Sequence, residues 1–153
     1  MDYQDEFLQA VQSGDLDTVK QLVEAGLVDH TLDGFGAFRV AASYGYLETA
    51  KFLLPFSDPK AKESAPIRLA ASYGYLDVVK FLLPHSDPTA NNSQAFRFAA
   101  AHGHLEIVKF LLPHSDPKAN YSDAFRLAAL NGHLEVVKFL LPHTDPKVVR
   151  QFI

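Results

Sequence analysis

The chain has 153 residues, with 14 Lys+Arg against 18 Asp+Glu for a net charge of −4, and 48% apolar against 21% charged residues. That balance is the one expected of a single globular domain and excludes a disordered tail, while the mild acidity argues against phosphate-driven nucleic-acid binding. With no cysteine the chain has no disulfide, thiolate nucleophile or Cys-based metal site; its start, Met1-Asp2-Tyr3-Gln4-Asp5-Glu6, is acidic where a signal peptide is basic, and no apolar run nears the roughly 18 residues of a membrane span, so a cytoplasmic protein without membrane contact is expected.

Internal repetition dominates the chain. Lys-Phe-Leu-Leu-Pro recurs at 51–55, 80–84, 109–113 and 138–142, each copy 29 residues after the last, and Asp-Pro follows at 58–59, 87–88, 116–117 and 145–146. Gly45, Gly74, Gly103 and Gly132 keep the same step, and Gly14 lies 31 residues before Gly45 in a divergent first copy. The expected organisation is one domain over 1–153 with five units at about 4–34, 35–63, 64–92, 93–121 and 122–146, followed by a tail at 147–153.

In chain order, each unit reads as two helices of about eight residues, too short to stand without neighbours. In the fourth, Phe96, Ala99 and Ala100 make the apolar stripe of helix A, which ends where Gly103 can turn left-handed. Leu105, Val108 and Leu112 with Ile107, Phe110 and Leu111 make helix B apolar nearly all round, so it must lie between neighbouring units. Pro113 and Pro117 end that helix, and the cluster Asn120-Tyr121-Ser122-Asp123 reads as the N-cap region opening the next unit, with Pro66 in the corresponding turn of the third. In the tail, Val148, Val149, Phe152 and Ile153 have the spacing of a short helix. The last helix B, at 134–141, is as apolar as the internal ones, so either this tail or a second chain must cover it.

Ala41-Ala42-x-x-Gly45-Tyr46-Leu47-Glu48 and Ala99-Ala100-x-x-Gly103-His104-Leu105-Glu106-Ile107-Val108 resemble the centre of the ankyrin repeat, Ala-Ala-x-x-Gly-His-Leu-Glu-Val-Val. The resemblance recurs in four units and extends to a first unit that looks like an N-terminal cap. It implies an all-α solenoid of stacked helix-turn-helix units, with helix A on the concave face and helix B on the convex one. A step of 29 instead of about 33 residues leaves a shortened inter-repeat loop without projecting β-hairpins. It also implies a non-enzymatic protein-binding module that holds a partner protein in the concave groove, used as a regulatory inhibitor or host-directed effector. A self-assembling scaffold, stacked through its terminal repeats, is the alternative.

Candidate residues divide by how they vary. Arg39, Arg68, Arg97 and Arg126 form a ladder at one repeat position, as do Asp58, Asp87, Asp116 and Asp145; mutual pairing gives both sets a structural role, and phosphate or acidic-peptide binding is the rival use of the arginines. Glu48/Lys51, Asp77/Lys80, Glu106/Lys109 and Glu135/Lys138 read as a solvated stripe and not as catalytic pairs. His85, His114 and His143 sit one repeat apart, roughly 8–10 Å, too far to share an ion, and His102 and His104 lack a third ligand. No metal, cofactor or catalytic residue is expected. Variable positions flank the repeat glycine: Ser43-Tyr44, Ser72-Tyr73, Ala101-His102 and Leu130-Asn131 before it, and Tyr46, Tyr75, His104 and His133 after it. In the ankyrin family the pair before the glycine faces the groove, so these pairs, with Tyr46 and Tyr75, are the candidate partner-binding set. The tyrosines either anchor a partner or cover the core between units. The expected state is a monomer, with a homo-oligomer through the C-terminal repeat as the other option.

Overall fold

The computed structural model describes residues 2–29 and 36–152; the expected boundary between the first two units, at 34/35, and Ile153 of the tail lie outside the described residues. Among the described residues no strand occurs, and the helices follow one another in pairs: α1 (Tyr3–Ser13) with α2 (Leu16–Glu24), α3 (Gly36–Ser43) with α4 (Leu47–Leu53), α5 (Ala61–Tyr73) with α6 (Leu76–Leu82), α7 (Ala90–Ala101) with α8 (Leu105–Leu111), and α9 (Ala119–Leu130) with α10 (Leu134–Leu140). A one-turn helix α11 (Pro146–Val149) closes the series. The fold is the expected all-α stack of helix-turn-helix units.

Each of α4, α6, α8 and α10 ends in a tight 3-10 turn carrying the proline, such as Leu83-Pro84-His85. A missing N–H there stops the α-helical ladder. The chain then turns extended at Ser86, and the carboxylate of Asp87 accepts the backbone N–H of Thr89 at 2.9 Å, a side-chain turn that starts the next helix. Asp58, Asp116 and Asp145 do the same for Lys60, Lys118 and Lys147. Four residues therefore join the 3-10 turn to the next helix, as at 86–89, and the connection carries no hairpin.

The A helices are longer than expected. The turn containing Asn120-Tyr121-Ser122-Asp123 belongs to α9, which starts at Ala119, and α5 and α7 likewise start before their apolar stripes. These first turns are not regular, because Ser64, Ser93 and Ser122 have φ of +58°, +57° and +65°. All three serines are buried, and each hydroxyl accepts the backbone N–H of the aspartate 23 residues on: Asp87 at 2.9 Å, Asp116 at 3.0 Å and Asp145 at 3.1 Å. The left-handed conformation, unfavourable for a residue with a Cβ, is held by a hydrogen bond to the next helix pair.

The core is one continuous seam. Ala41, Ala42, Ala70, Ala71, Ala99, Ala100 and Ala128 are fully buried between successive A helices, while Val78, Val79, Leu82, Ile107, Val108 and Leu111 fill the layer between A and B helices. Small side chains let α3, α5, α7 and α9 approach each other far more closely than α4, α6, α8 and α10 do. Outside, Lys51, Lys109 and Lys138 each reach the glutamate three residues back at 2.7–2.8 Å, the solvated stripe that the spacing predicts.

Candidate functional site: the groove at the ends of the A helices

Each A helix of the first five pairs ends at its glycine in the left-handed conformation, with φ between +75° and +88°. Around Gly45, the N–H of the glycine reaches Ala42 O and the N–H of Tyr46 reaches Ala41 O, at 3.3 and 2.9 Å, which reverses the chain sharply. Residues before and after the glycine therefore point in different directions.

Side chains after the glycine fold back onto the preceding helix pair. Ring atoms of Tyr46, Tyr75, His104 and His133 occupy the space where a Cβ would stand on Gly14, Gly45, Gly74 and Gly103, within 2.4–2.8 Å of that point. Their polar ends bind the same earlier unit: Tyr46 donates its hydroxyl to Gln12 O at 3.2 Å, His104 Nε2 lies 2.9 Å from Ser72 O, and His133 Nε2 lies 3.0 Å from Ala101 O. A carbonyl only accepts, so Nε2 carries the proton in both histidines. None of these residues caps its own B helix, whereas Asp15, in the first unit, accepts the N–H and hydroxyl of Thr18. Those bonds, the hydroxyl first, hold the Asp15 carboxyl below its ordinary value.

The side chains before the glycine form the groove. Tyr44 and Tyr73 are 52% and 60% exposed, and with Ser43 and Tyr75 they line a cleft of about 290 Å³. Tyr44 stacks on Tyr46 with ring centroids 5.9 Å apart and planes 8° from parallel, which stiffens the cleft wall. Ser43 donates its hydroxyl to Val40 O at 2.9 Å, and half-buried Ser72 lends its carbonyl to His104. Further along, exposed His102 places Nδ1 2.9 Å from Phe98 O and 3.4 Å from Ser72 Oγ and stacks against His104, and Leu130 is widely exposed.

Three of the expected binding positions need correction, and a fourth serves two purposes. Ala101 is buried, and its carbonyl is taken by both Asn131 Nδ2 at 2.7 Å and His133 Nε2, so it presents no side chain to a partner and Asn131 is committed to an internal bond. Tyr46 belongs to the inter-unit clasp, with its hydroxyl spent on Gln12. Tyr75 both covers Gly45 and lines the cleft. The four tyrosines thus separate into two groove-facing rings, Tyr44 and Tyr73, and two that fold back.

The expected pairing of arginines with the repeated aspartates is also corrected. Arg97 binds Asp123 through Nη2 at 2.6 Å and Nε at 3.0 Å, not Asp116, whose carboxylate is engaged in its own turn. Arg68 binds Gln94 and donates to Lys62 O, and Arg126 turns within its helix to Asp123 at 3.5 Å. The partner register is 26 residues ahead, on the first turn of the next A helix. It gives Gln94 to Arg68 and Asp123 to Arg97, but Ala65 to Arg39, which makes no hydrogen bond among the described residues, and Phe152 to Arg126. That offset is the signal sequence reading passed over. Among the described residues no three His, Asp or Glu side chains gather where they could hold a metal ion.

With this geometry in place, comparison with known proteins gives the class. The family described as ankyrin repeats (3 copies) matches residues 7–93 and 68–151, and the chain belongs to that family. No curated protein matches the chain. Ankyrin repeats are in general protein–protein interaction modules and typically not enzymes. No helix among the described residues is long and apolar enough to cross a membrane.

Proposed function

We propose that this chain is a non-enzymatic, cytoplasmic binding module that holds a partner protein in the groove at the ends of its A helices, centred on Tyr44 and Tyr73. One observation carries the reading: on a frame whose glycines, alanines and prolines repeat at a fixed step, the positions just before the glycine change from unit to unit, and in the second and third pairs they expose two tyrosines side by side. A phenol offers a large flat apolar face and a polar tip at the cost of only two side-chain torsions, which suits it to an interface hot spot. Ser43, Tyr75, Ser72, His102 and Leu130 extend the contact along the groove. A regulatory inhibitor or host-directed effector would use this groove to occlude its target.

Capture of partners from the native lysate by the wild type and by Tyr44→Ala/Tyr73→Ala tests the reading. Each hot-spot ring is worth about 2 kcal/mol, near thirtyfold in affinity, so the double variant loses its partner while its helical circular dichroism is unchanged. A folded double variant that retains the same partner at the same affinity overturns the assignment.

A further inference from the structure

Charge is distributed unevenly between the two layers of helices. Each of α4, α6, α8 and α10 carries one acidic residue followed three positions later by a lysine, and the three Glu–Lys pairs close on themselves. From α3 to α9 the A helices instead hold Arg39, Lys62, Arg68, Arg97 and Arg126 against Glu63 and Asp123. A chain with a net charge of −4 thus has a basic A-helix layer.

The arginines stand on the strip that each A helix turns to solvent. In α3, Phe38, Ala41 and Ala42 are buried, Arg39, Val40 and Ser43 are half-buried, and Tyr44 is exposed; α5 repeats the pattern with Arg68, Leu69, Ser72 and Tyr73. Five positions separate arginine from tyrosine, about 7.5 Å along the helix axis, with the apolar Val40 or Leu69 between them. What the arginines bind changes along the row. Arg97 and Arg126 share the carboxylate of Asp123, at 2.6 and 3.5 Å. Among the described residues Arg68 meets only neutral acceptors, Gln94 and Lys62 O, and its buried Nε has no partner. Arg39, with Ala65 in the partner register, makes no hydrogen bond or ion pair among the described residues. The guanidinium charge is therefore cancelled on the strips that carry His102 and Leu130, and left standing on the two strips that carry Tyr44 and Tyr73.

We propose, building on the partner-binding reading above, that the groove takes an acidic protein segment, whose carboxylates pair with Arg39 and Arg68 while an apolar side chain beside them rests on Tyr44 and Tyr73. A guanidinium presents a planar fork of donors that matches a carboxylate, and a half-buried charge is less screened than one in open solvent. Packed helices lie about 8–10 Å apart, a distance that an extended chain covers in about three residues at roughly 3.3 Å each. The matching segment therefore carries acidic residues three apart where it crosses α3 and α5. Nucleic acid fits less well, since Arg39 and Arg68 answer only two phosphates and a long polyanion would also meet the net −4 of the whole chain.

Selection of random peptides of about twelve residues displayed on phage, with the whole chain as bait, tests the proposal. Peptides that bind the wild type and are lost on Tyr44→Ala/Tyr73→Ala should be enriched in Asp and Glu, with acidic pairs three residues apart. For such a peptide made synthetically, Arg39→Gln should raise the Kd about tenfold and Arg39→Lys should keep most of the affinity. Added salt should weaken binding by the wild type more than binding by Arg39→Gln. Because Arg39 has no hydrogen bond among the described residues to lose, the circular dichroism of Arg39→Gln should match the wild type. Tyrosine-dependent peptides without acidic enrichment, or an affinity that Arg39→Gln leaves unchanged, overturn the proposal while the broader groove reading stands. Peptides that bind the double tyrosine variant as well as the wild type overturn both. A library that yields no binder also overturns the proposal, and capture from the lysate then decides the broader reading alone. Displacement of the acidic peptide by an equal concentration of a thymidine oligonucleotide would mark a nonspecific polyanion surface and overturn it as well.

Discussion

Substituting Gly45 with alanine isolates the ring-on-glycine clasp, because Gly132, where a Cβ would meet nothing within 4 Å, provides an internal control. Both glycines are left-handed, with φ of +78° and +75°, so the backbone cost of a Cβ is common to the two sites. That cost is about 1–2 kcal/mol, of which about 0.4–1 kcal/mol is offset by the smaller freedom of alanine in the unfolded chain, leaving roughly 1 kcal/mol for Gly132→Ala. At Gly45 the new methyl would stand 2.4, 2.6 and 2.8 Å from three carbons of the Tyr75 ring, including the one nearest the backbone. Relieving that overlap moves the ring by about 1 Å and forfeits its packing on the preceding pair, an overpacking cost of about 1–3 kcal/mol. The expected total for Gly45→Ala is about 2–4 kcal/mol.

Urea unfolding followed by circular dichroism at low protein concentration measures the difference. Thermal melts should show it too, at about 2–4 °C per kcal/mol for a chain of this size. In a Tyr75→Ala background the excess at Gly45 should vanish and the two glycine sites should become equivalent. Equal losses for Gly45→Ala and Gly132→Ala in the wild type, or an excess that survives removal of the Tyr75 ring, would refute the clasp.

Three further outcomes follow from contacts between pairs. A double-mutant cycle on Arg97→Ala and Asp123→Ala, whose side chains are 14% and 17% exposed, should give a coupling of about 1–2 kcal/mol in urea unfolding, whereas Arg97→Ala with Asp116→Ala should be additive. Ser93→Ala leaves the Asp116 N–H without its acceptor while keeping a Cβ at φ +57°, so about 1–3 kcal/mol should be lost, and Ser93→Gly, which relieves the backbone, should lose about 1 kcal/mol less. The Thr89 hydroxyl, and then its N–H, holds the Asp87 carboxyl below its ordinary 3.8. A depressed carboxylate stabilises the fold when ionised, so its contribution is complete above pH 3.8 and disappears as the pH falls through that value toward the lower native one. Urea midpoints of the wild type and Thr89→Val should accordingly differ at about pH 7 and draw together as the pH is taken below 3.8.

Much of this fold is legible because its punctuation is local. A proline stops a helix wherever it falls, a glycine permits the left-handed turn, and an apolar B helix requires neighbours, so the unit length and the helix pairs can be read without any long-range information. The starts of the A helices are not legible that way. Ser122 sits in the cluster that reads as an N-cap region, yet it stays within a distorted first turn because its hydroxyl has a partner 23 residues later. Arg97 fails for the same reason. Its nearest plausible acceptor in the repeat pattern is Asp116, but the contact runs 26 residues ahead to a position that is alanine, glutamine and aspartate in successive units. The serine contact joins two positions that both repeat but lie in different helix pairs, and the Arg97 contact depends on a position that does not repeat, so neither is visible within one unit.

The same distinction explains how one short segment serves both frame and groove. Around the left-handed glycine, backbone direction decides which side chains are committed: the residue after it is folded onto the previous pair, and the residue just before it is left facing the groove. The folded-back slot asks for a flat ring over a glycine that has no Cβ, and both tyrosine and histidine meet that demand, with Tyr46, His104 and His133 each bonding an earlier carbonyl as well. Tyrosine there has an added consequence. Tyr75 covers Gly45 and still turns part of its ring toward Tyr44 and Tyr73, so the third pair gains cleft wall from a residue the stack already requires. Changing Tyr73 should therefore alter binding with little effect on stability, whereas changing Tyr75 should alter both, and the groove can be rebuilt at the positions before the glycine while the clasp behind it stays intact.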